Sequence, residues 1–395
     1  MQYFDLLSNK HRSFFDRWLK NTYASIMERY LKNQINQDLK RKMVFLAGPR
    51  QVGKTTLSKS LIKNFDYMNW DIDKDRTRIL NKEFKARDLW IFDEIHKYKS
   101  WRNYLKGIFD QFRDEKKILV TGSAKLDLLR KGGDSLQGRY HFLRLHPLSI
   151  NELKGKSQND LIELFELGGF PEPYFGSSKS QANRWTREYR QKLIREEVAT
   201  NELIQDLGNM ELLVNRLPDL VGSPLSINGI REDLQLAHKT ISKWLDALER
   251  LYGIYRIAPF GQKLIKAVKK EQKMYLYDWN AIKDLGSRFE NMVANHLLKW
   301  IHFEQDTMGR NLELRYFRDT EKREVDFVII EDNNPTAFIE CKYSDTSVSD
   351  HLRYLKSKWP NVDSFQIYLN GNKDYVDGNG IRVQSGLSFL TNLSC

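Results

Sequence analysis

Residues 43–55 read Met-Val-Phe-Leu-Ala-Gly-Pro-Arg-Gln-Val-Gly-Lys-Thr, an apolar run followed at once by a GxxxxGK[ST] loop. A strand that ends on such a loop delivers backbone to a phosphate. Gly48 and Gly53 allow the loop Gly48-Pro49-Arg50-Gln51-Val52-Gly53 to curl so that its N–H groups point inward. Lys54 then reaches the β and γ oxygens, and the Thr55 hydroxyl is available to Mg²⁺. The residues from Thr56 to Lys63 read as a helix, which sets the phosphate against a helix N-terminus.

Outward from the loop, apolar runs at Met43–Ala47, Tyr67–Trp70, Leu89–Phe92, Ile118–Thr121 and His141–Leu145 alternate with helix-like segments. This alternation implies a parallel, mostly buried sheet that binds ligand at the carboxyl ends of its strands. The third run ends in Asp93-Glu94. Asp93 is the candidate for the Mg²⁺ shell and Glu94 for polarising the attacking water. The fourth ends in Thr121-Gly122-Ser123, where Thr121 or Ser123 is a candidate sensor of water or the γ-phosphate. Arg139, after Gly138, has two readings: a cation lent to a neighbouring subunit of a homo-oligomer, or a structural ion pair. No Asn-Lys-x-Asp guanine-reading motif is present, which favours ATP.

The chain has 395 residues, enough for two or three domains, and 41% of them are hydrophobic. No apolar stretch approaches the ~18 residues of a membrane span, and Met1-Gln2-Tyr3-Phe4-Asp5 lacks a secretory pattern. Two cysteines, Cys341 and Cys395, point away from a disulfide framework and toward a reducing cytoplasm. A net charge of +12, spread along the chain, favours polyanions, nucleic acid first and DNA ahead of RNA.

GPRQVGKTTL (48–57), DEIHKYKSW (93–101), TGS (121–123), GRYHFLRLHPLS (138–149) and GGFPEP (168–173) together resemble prokaryotic AAA-type ATPases that carry a C-terminal domain of unknown function. The resemblance runs from about residue 25 to 345. It implies an α/β chain with an N-terminal AAA-type P-loop domain, a helical winged-helix-like middle and a restriction-endonuclease-like α/β end. The expected units are a helical segment over 1–42, the ATPase domain over 43–175, the middle over 183–273 and the end domain over 274–395.

In the middle, Leu225–Leu236 and His238–Leu251 form a helix-turn-helix pattern with Ile241, Trp244, Leu245, Leu248 and Leu251 on one apolar face. Lys239, Ser242 and Lys243 are the candidate nucleic-acid contacts, and the basic stretch from Lys263 to Lys273 is a candidate wing. Asp246 and Glu249, further along the helix, would repel a phosphate backbone. Winged helices also dock proteins, so this pattern leaves both uses open.

Toward the C-terminus, two apolar runs flank the turn Asp332-Asn333-Asn334-Pro335. Pairing them as a hairpin sets Asp326 across from Glu340 or Cys341, and alternation puts Glu340 and Lys342 on one face. Two carboxylates and a lysine so spaced are the PD-(D/E)xK arrangement, with Asp326 and Glu340 as candidate Mg²⁺ or Mn²⁺ ligands and Lys342 assisting water. Glu290, on a helix over Phe289–Trp300, is a candidate third carboxylate. Resemblance to the family's end domain rests on Glu290-Asn291, Glu324-Val325-Asp326 and Ile339-Glu340-Cys341-Lys342. The expected activity is Mg²⁺-dependent ATP hydrolysis coupled to a nucleic-acid-associated C-terminal region. The alternatives are an ATP-regulated metal-dependent nuclease and a nucleotide-switched binding protein without catalysis.

Overall fold

The computed structural model describes residues 27–122, 136–176, 178–198, 206–261, 272–371 and 373–394. Residues 1–26 of the expected helical segment, Ser123 and most of the candidate wing lie outside the described residues.

β1 (Met43–Ala47) is buried along its whole length, as a strand covered on both faces requires. With β2 (Phe65–Asn69), β3 (Leu89–Asp93), β4 (Lys117–Thr121) and β5 (Tyr140–Arg144) it forms a parallel sheet in the order β2-β3-β4-β1-β5. Leu46 and Asp93 both pair with Thr121, so β1, β3 and β4 end level at the carboxyl edge, below the phosphate loop. Around the sheet lie α1 (Lys32–Asp38), α2 (Lys54–Leu61), α3 (Asp73–Asn81) and α4 (Trp101–Phe112).

The middle is helical: α5 (Gln158–Leu167), α6 (Pro171–Gly176), α7 (Lys179–Lys192), α8 (Leu207–Arg216), α9 (Ile227–Leu234) and α10 (His238–Arg250). Ser226 caps α9 by accepting the Gly229 N–H, and Gln235 in the left-handed region stops it at Leu234, two residues before the expected Leu236. Ile241, Trp244, Leu245 and Leu248 are buried on one side of α10. β6 (Ile254–Pro259) and β7 (Lys273–Leu276) then form an antiparallel pair.

The C-terminal part holds α11 (Leu285–Met308), β8 (Leu312–Arg318), β9 (Glu324–Glu331), β10 (Asn334–Ser344), α12 (Asp350–Lys358), β11 (Asp363–Asn370), β12 (Tyr375–Val376), β13 (Arg382–Ser385) and α13 (Gly386–Thr391). Its sheet runs β12-β13-β11-β10-β9-β8-β6-β7, so the hairpin of the middle segment is built into it. β9 and β10 join through Asp332-Asn333, both at positive φ (48° and 68°), the type I′ combination that matches strand twist. Asn334 and Pro335, expected in the turn, instead open β10. α11 is longer than expected because Asp284 caps it by accepting the Ser287 N–H, and nothing breaks it before Gly309. An apolar core extends from Leu31 to Leu390, and a smaller one lies beneath α12. Among the described residues, no helix is long and apolar enough to cross a membrane.

Candidate nucleotide site and C-terminal carboxylate cluster

The loop leaves β1 through Gly48 at φ 143°, where an added Cβ would lie 2.2 Å from the Leu145 carbonyl oxygen. Only glycine fits that approach. Gly53, at φ 97°, starts α2. Behind the loop, the buried Arg29 donates to the Val52 carbonyl at 2.6 Å and the His146 carbonyl at 2.5 Å. Lys54 Nζ folds back onto the carbonyls of Gly48 and Pro49 at 2.9 and 2.7 Å. Asp93, ending β3, accepts the hydroxyls of Tyr67 (2.6 Å), Thr121 (2.7 Å) and Thr55 (3.2 Å). Burial, then the bond to Asp93, pushes the Tyr67 phenol well up.

Glu94 leaves the strand with φ 56°, and its N–H donates to the Thr121 carbonyl at 2.9 Å. Its Oε2 is buried without a hydrogen-bond partner among the described residues, 3.5 Å from His96 Nε2 and 3.6 Å from Lys97 Nζ. Burial first, and the Asp93 charge second, raise this carboxyl above its ordinary value. A cavity of about 540 Å³ opens here, lined by Arg50, Gln51, Gly53, Lys54, Thr55, Thr56, Asp93 and Glu94. Glu172 and Lys192 of the middle segment also line it. That volume suits a nucleotide. Val52 instead faces the core.

Arg139 lies at the opposite edge of the sheet, where its carbonyl accepts the Met43 N–H. Its guanidinium forks Asp110 of α4 at 2.7 and 3.1 Å, so the ion-pair reading is the contact made within the chain. Arg29, Tyr67 and Lys192 carry no motif signal, and Glu172 lies in the GGFPEP stretch without a role assigned to it there. They reach the site through long-range packing alone.

At the C-terminal cluster the hairpin register continues from Phe327↔Ile339 and brings Asp326 beside Glu340. Asp326 Oδ2 accepts the Cys341 N–H at 2.9 Å, Lys342 Nζ donates to Glu340 Oε1 at 2.8 Å, and Tyr275 Oη donates to Glu290 Oε1 at 2.7 Å. Burial, then the Asp326 charge, raises the carboxyls of both Glu290 and Glu340. Two of the three carboxylates expected to share a divalent ion surround an ammonium instead, with Glu324 beside them: Lys273 Nζ stands 2.7 Å from Glu324, 3.2 Å from Glu290 and 3.5 Å from Asp326, while Glu340 pairs with Lys342. Among the described residues, no group of three or more His, Cys, Asp or Glu side chains is arranged to hold a metal. Sequence reading missed Lys273 as a site residue, although its two-residue spacing from Tyr275 puts both on one face of β7.

On α10, Lys239 and Lys243 are exposed and Ser242 is half-buried. The carboxylates of Asp246 and Glu249 do not stand alone, because Arg256 of β6 bonds both, at 2.7 and 3.1 Å.

A parallel sheet in this order, a glycine loop feeding a helix, and a carboxylate at the end of the neighbouring-but-one strand define a AAA-type P-loop ATPase domain. Residues 40–154 match the family model of a AAA domain, residues 158–280 that of a domain of unknown function (DUF8612), and residues 285–385 that of a second one (DUF4143). The chain is thus a AAA-type P-loop ATPase with C-terminal domains of unknown function. Uncharacterized proteins of Mycobacterium tuberculosis and Mycobacterium bovis are each 24% identical over 323 residues, 79% of this chain and 73% of theirs. Among solved structures, the Aeropyrum pernix Orc1 protein in complex with DNA aligns with 71% of this chain and 97% of its own, at 11% identity and a TM-score of 0.34. A RuvB variant from Thermotoga maritima aligns with 57% of this chain and 88% of its own, at 17% identity and a TM-score of 0.31.

Proposed function

We propose that this protein hydrolyses ATP with Mg²⁺ at the Lys54–Asp93–Glu94 site and that the nucleotide cycle controls a nucleic-acid-associated C-terminal region. The observation that carries the reading is the meeting of Thr55 and Asp93 at 3.2 Å beside a buried Glu94 oxygen without a hydrogen-bond partner among the described residues. A hydroxyl and a carboxylate are hard oxygen donors suited to Mg²⁺. Bound there, Mg²⁺ would neutralise charge developing on the phosphate oxygens.

Lys54 holds two backbone carbonyls, which phosphate oxygens would displace as stronger, charge-assisted acceptors. Thr121 and Tyr67 orient Asp93 through their hydroxyls. Glu94 is the group available to orient water, because its backbone turn aims it out of the strand and its Oε2 has no competing hydrogen bond among the described residues. Lys192 adds a cation from the middle segment, a support for communication between the units.

Nucleic-acid contact is supported by the order of α8, α9, α10 and the β6–β7 hairpin, with a single bridge from Pro224 to Lys273. That order is winged-helix-like, and Lys239, Ser242 and Lys243 are its candidate contacts, for DNA ahead of RNA. Pairing of Asp246 and Glu249 with the one Arg256 reduces the repulsion that their sequence positions imply. Cys341 is a free thiol, which suits the cytoplasm.

Purified protein is expected to release phosphate from ATP with Mg²⁺. Lys54→Ala and Glu94→Gln are expected to lower that rate by a factor of about 10² or more, the scale of a lost general base. Equal rates in all three proteins would sink the reading. The same assay with and without duplex DNA tests coupling: a rate indifferent to saturating DNA separates the front of the chain from the back.

A further inference from the structure

Glu290, Glu324, Asp326 and Glu340 converge from α11, β9 and β10. On a nuclease-like scaffold such carboxylates hold a divalent ion. Here the space among the first three is taken by Lys273, the first residue of β7, whose side chain is fully buried. The competing oxygens are also engaged. Glu290 Oε1 accepts from Tyr275 as well as Lys273, and Asp326 Oδ2 accepts from the Cys341 backbone. An ammonium and a divalent ion repel each other, so a metal does not fit while Lys273 is seated.

The cluster nevertheless retains an unmet demand. Glu340 is only 6% exposed, and its Oε2 has no hydrogen-bond partner among the described residues. A buried carboxylate oxygen without a donor is costly and calls for a cation. Lys342 serves only the other oxygen. The strand that brings Lys273 lies at the end of its sheet, paired with β6 on one side and bridged to Pro224 on the other. Its withdrawal would break fewer ladder bonds than that of an interior strand.

We propose that the cluster is a latent divalent-cation site which Lys273 keeps filled. Removal of that ammonium opens Glu290, Glu324, Asp326 and the spare oxygen of Glu340 to Mg²⁺ or Mn²⁺. ATP hydrolysis plays no part in this arrangement. The wild-type chain holds no metal here, and Lys273 of the middle segment controls whether it can.

The test counts Mn²⁺ bound to the full chain without nucleotide, by the loss of free-ion electron paramagnetic resonance signal. Uptake at the phosphate loop is common to every variant and cancels in the comparison. Wild type and Asp326→Asn are expected to bind equal amounts. Lys273→Ala is expected to bind one further Mn²⁺ per chain, and Lys273→Ala/Asp326→Asn to lose it. Loss of an ion on changing Asp326 alone would overturn the proposal, as would a folded Lys273→Ala that binds no more than wild type. Where the alanine variant fails to fold by circular dichroism, Lys273→Gln removes the charge and keeps a hydrogen-bond donor, and the same two outcomes decide.

Discussion

Glu94 owes its chemistry to its backbone, its burial and two charged neighbours. Its left-handed backbone carries it out of β3, burial and Asp93 raise its carboxyl, and Lys97 at 3.6 Å partly lowers it again. Water orientation needs the carboxylate, so ATP turnover should fall as pH drops through that raised value. Lys97→Met removes a lowering influence, and the acid limb of the rate–pH profile should then move to higher pH. An unmoved limb would mean that another group titrates. The meeting of Lys54, Thr55, Asp93 and Glu94 at one cavity was legible, because a local motif and a strand end fix their places. Tyr67 was not, because nothing local to residues 65–69 says that its hydroxyl meets the end of β3. Lys273 reads as one more basic residue until the fold sets it among Glu290, Glu324 and Asp326.

α11 is the element that joins the units. Its face turned to the ATPase domain carries Lys299, bonded to Glu152 and to Ser149 at 2.7 Å, His302, 2.8 Å from His146, and Asp306, forked by Arg144 at 2.7 and 2.9 Å. Glu152 also accepts from Arg29 at 2.7 Å, so one buried carboxylate ties the back of the phosphate loop to α11. Burial pushes Glu152 up, but Arg29 and Lys299 outweigh it and hold the group at about 2, against an ordinary 4.5. A depressed carboxyl stabilises the fold above its unfolded value and loses that contribution as pH falls through its folded one. The window here runs from 4.5 down to about 2, and the contribution is on the order of 3 kcal/mol. Wild type should therefore exceed Glu152→Gln in denaturant stability at neutral pH, with the gap closing across that window. A gap independent of pH would count against the ion pairs. The β/α alternation and the helix-turn-helix were legible from periodicity. This stripe was not, because polar residues three and four apart on a helix read as a solvated face until something packs on them.

At the scale of the whole molecule, the continuous core from Leu31 to Leu390 and the shared β6–β8 ladder make separate melting unfavourable. Calorimetry should show one main transition that rises as a whole with nucleotide. Two well-separated transitions, with only one moved by ATP, would contradict it. With a net charge of +12, any affinity for nucleic acid should be salt-dependent. If Lys239 and Lys243 each meet a phosphate, Lys239→Gln/Lys243→Gln should flatten the log–log salt slope by about 2. An unchanged slope would move the contact elsewhere. The order of units along the chain was legible, because each has its own periodicity. Their sharing of one sheet was not, since the pairing of β6 with β8 spans more than fifty residues.

α11 has 24 residues and so measures about 36 Å, with Glu290 and Lys299 roughly half a turn apart around its axis. The helix is therefore held between two layers, one ending at the phosphate loop and the other at the carboxylates. A hydrogen-bonded rod of this length resists compression, so a shift of the 146–152 segment on nucleotide exchange would arrive at Glu290 as a translation of similar size. Less than an ångström of travel is enough to lengthen a 3.2 Å contact with Lys273 beyond hydrogen-bonding reach.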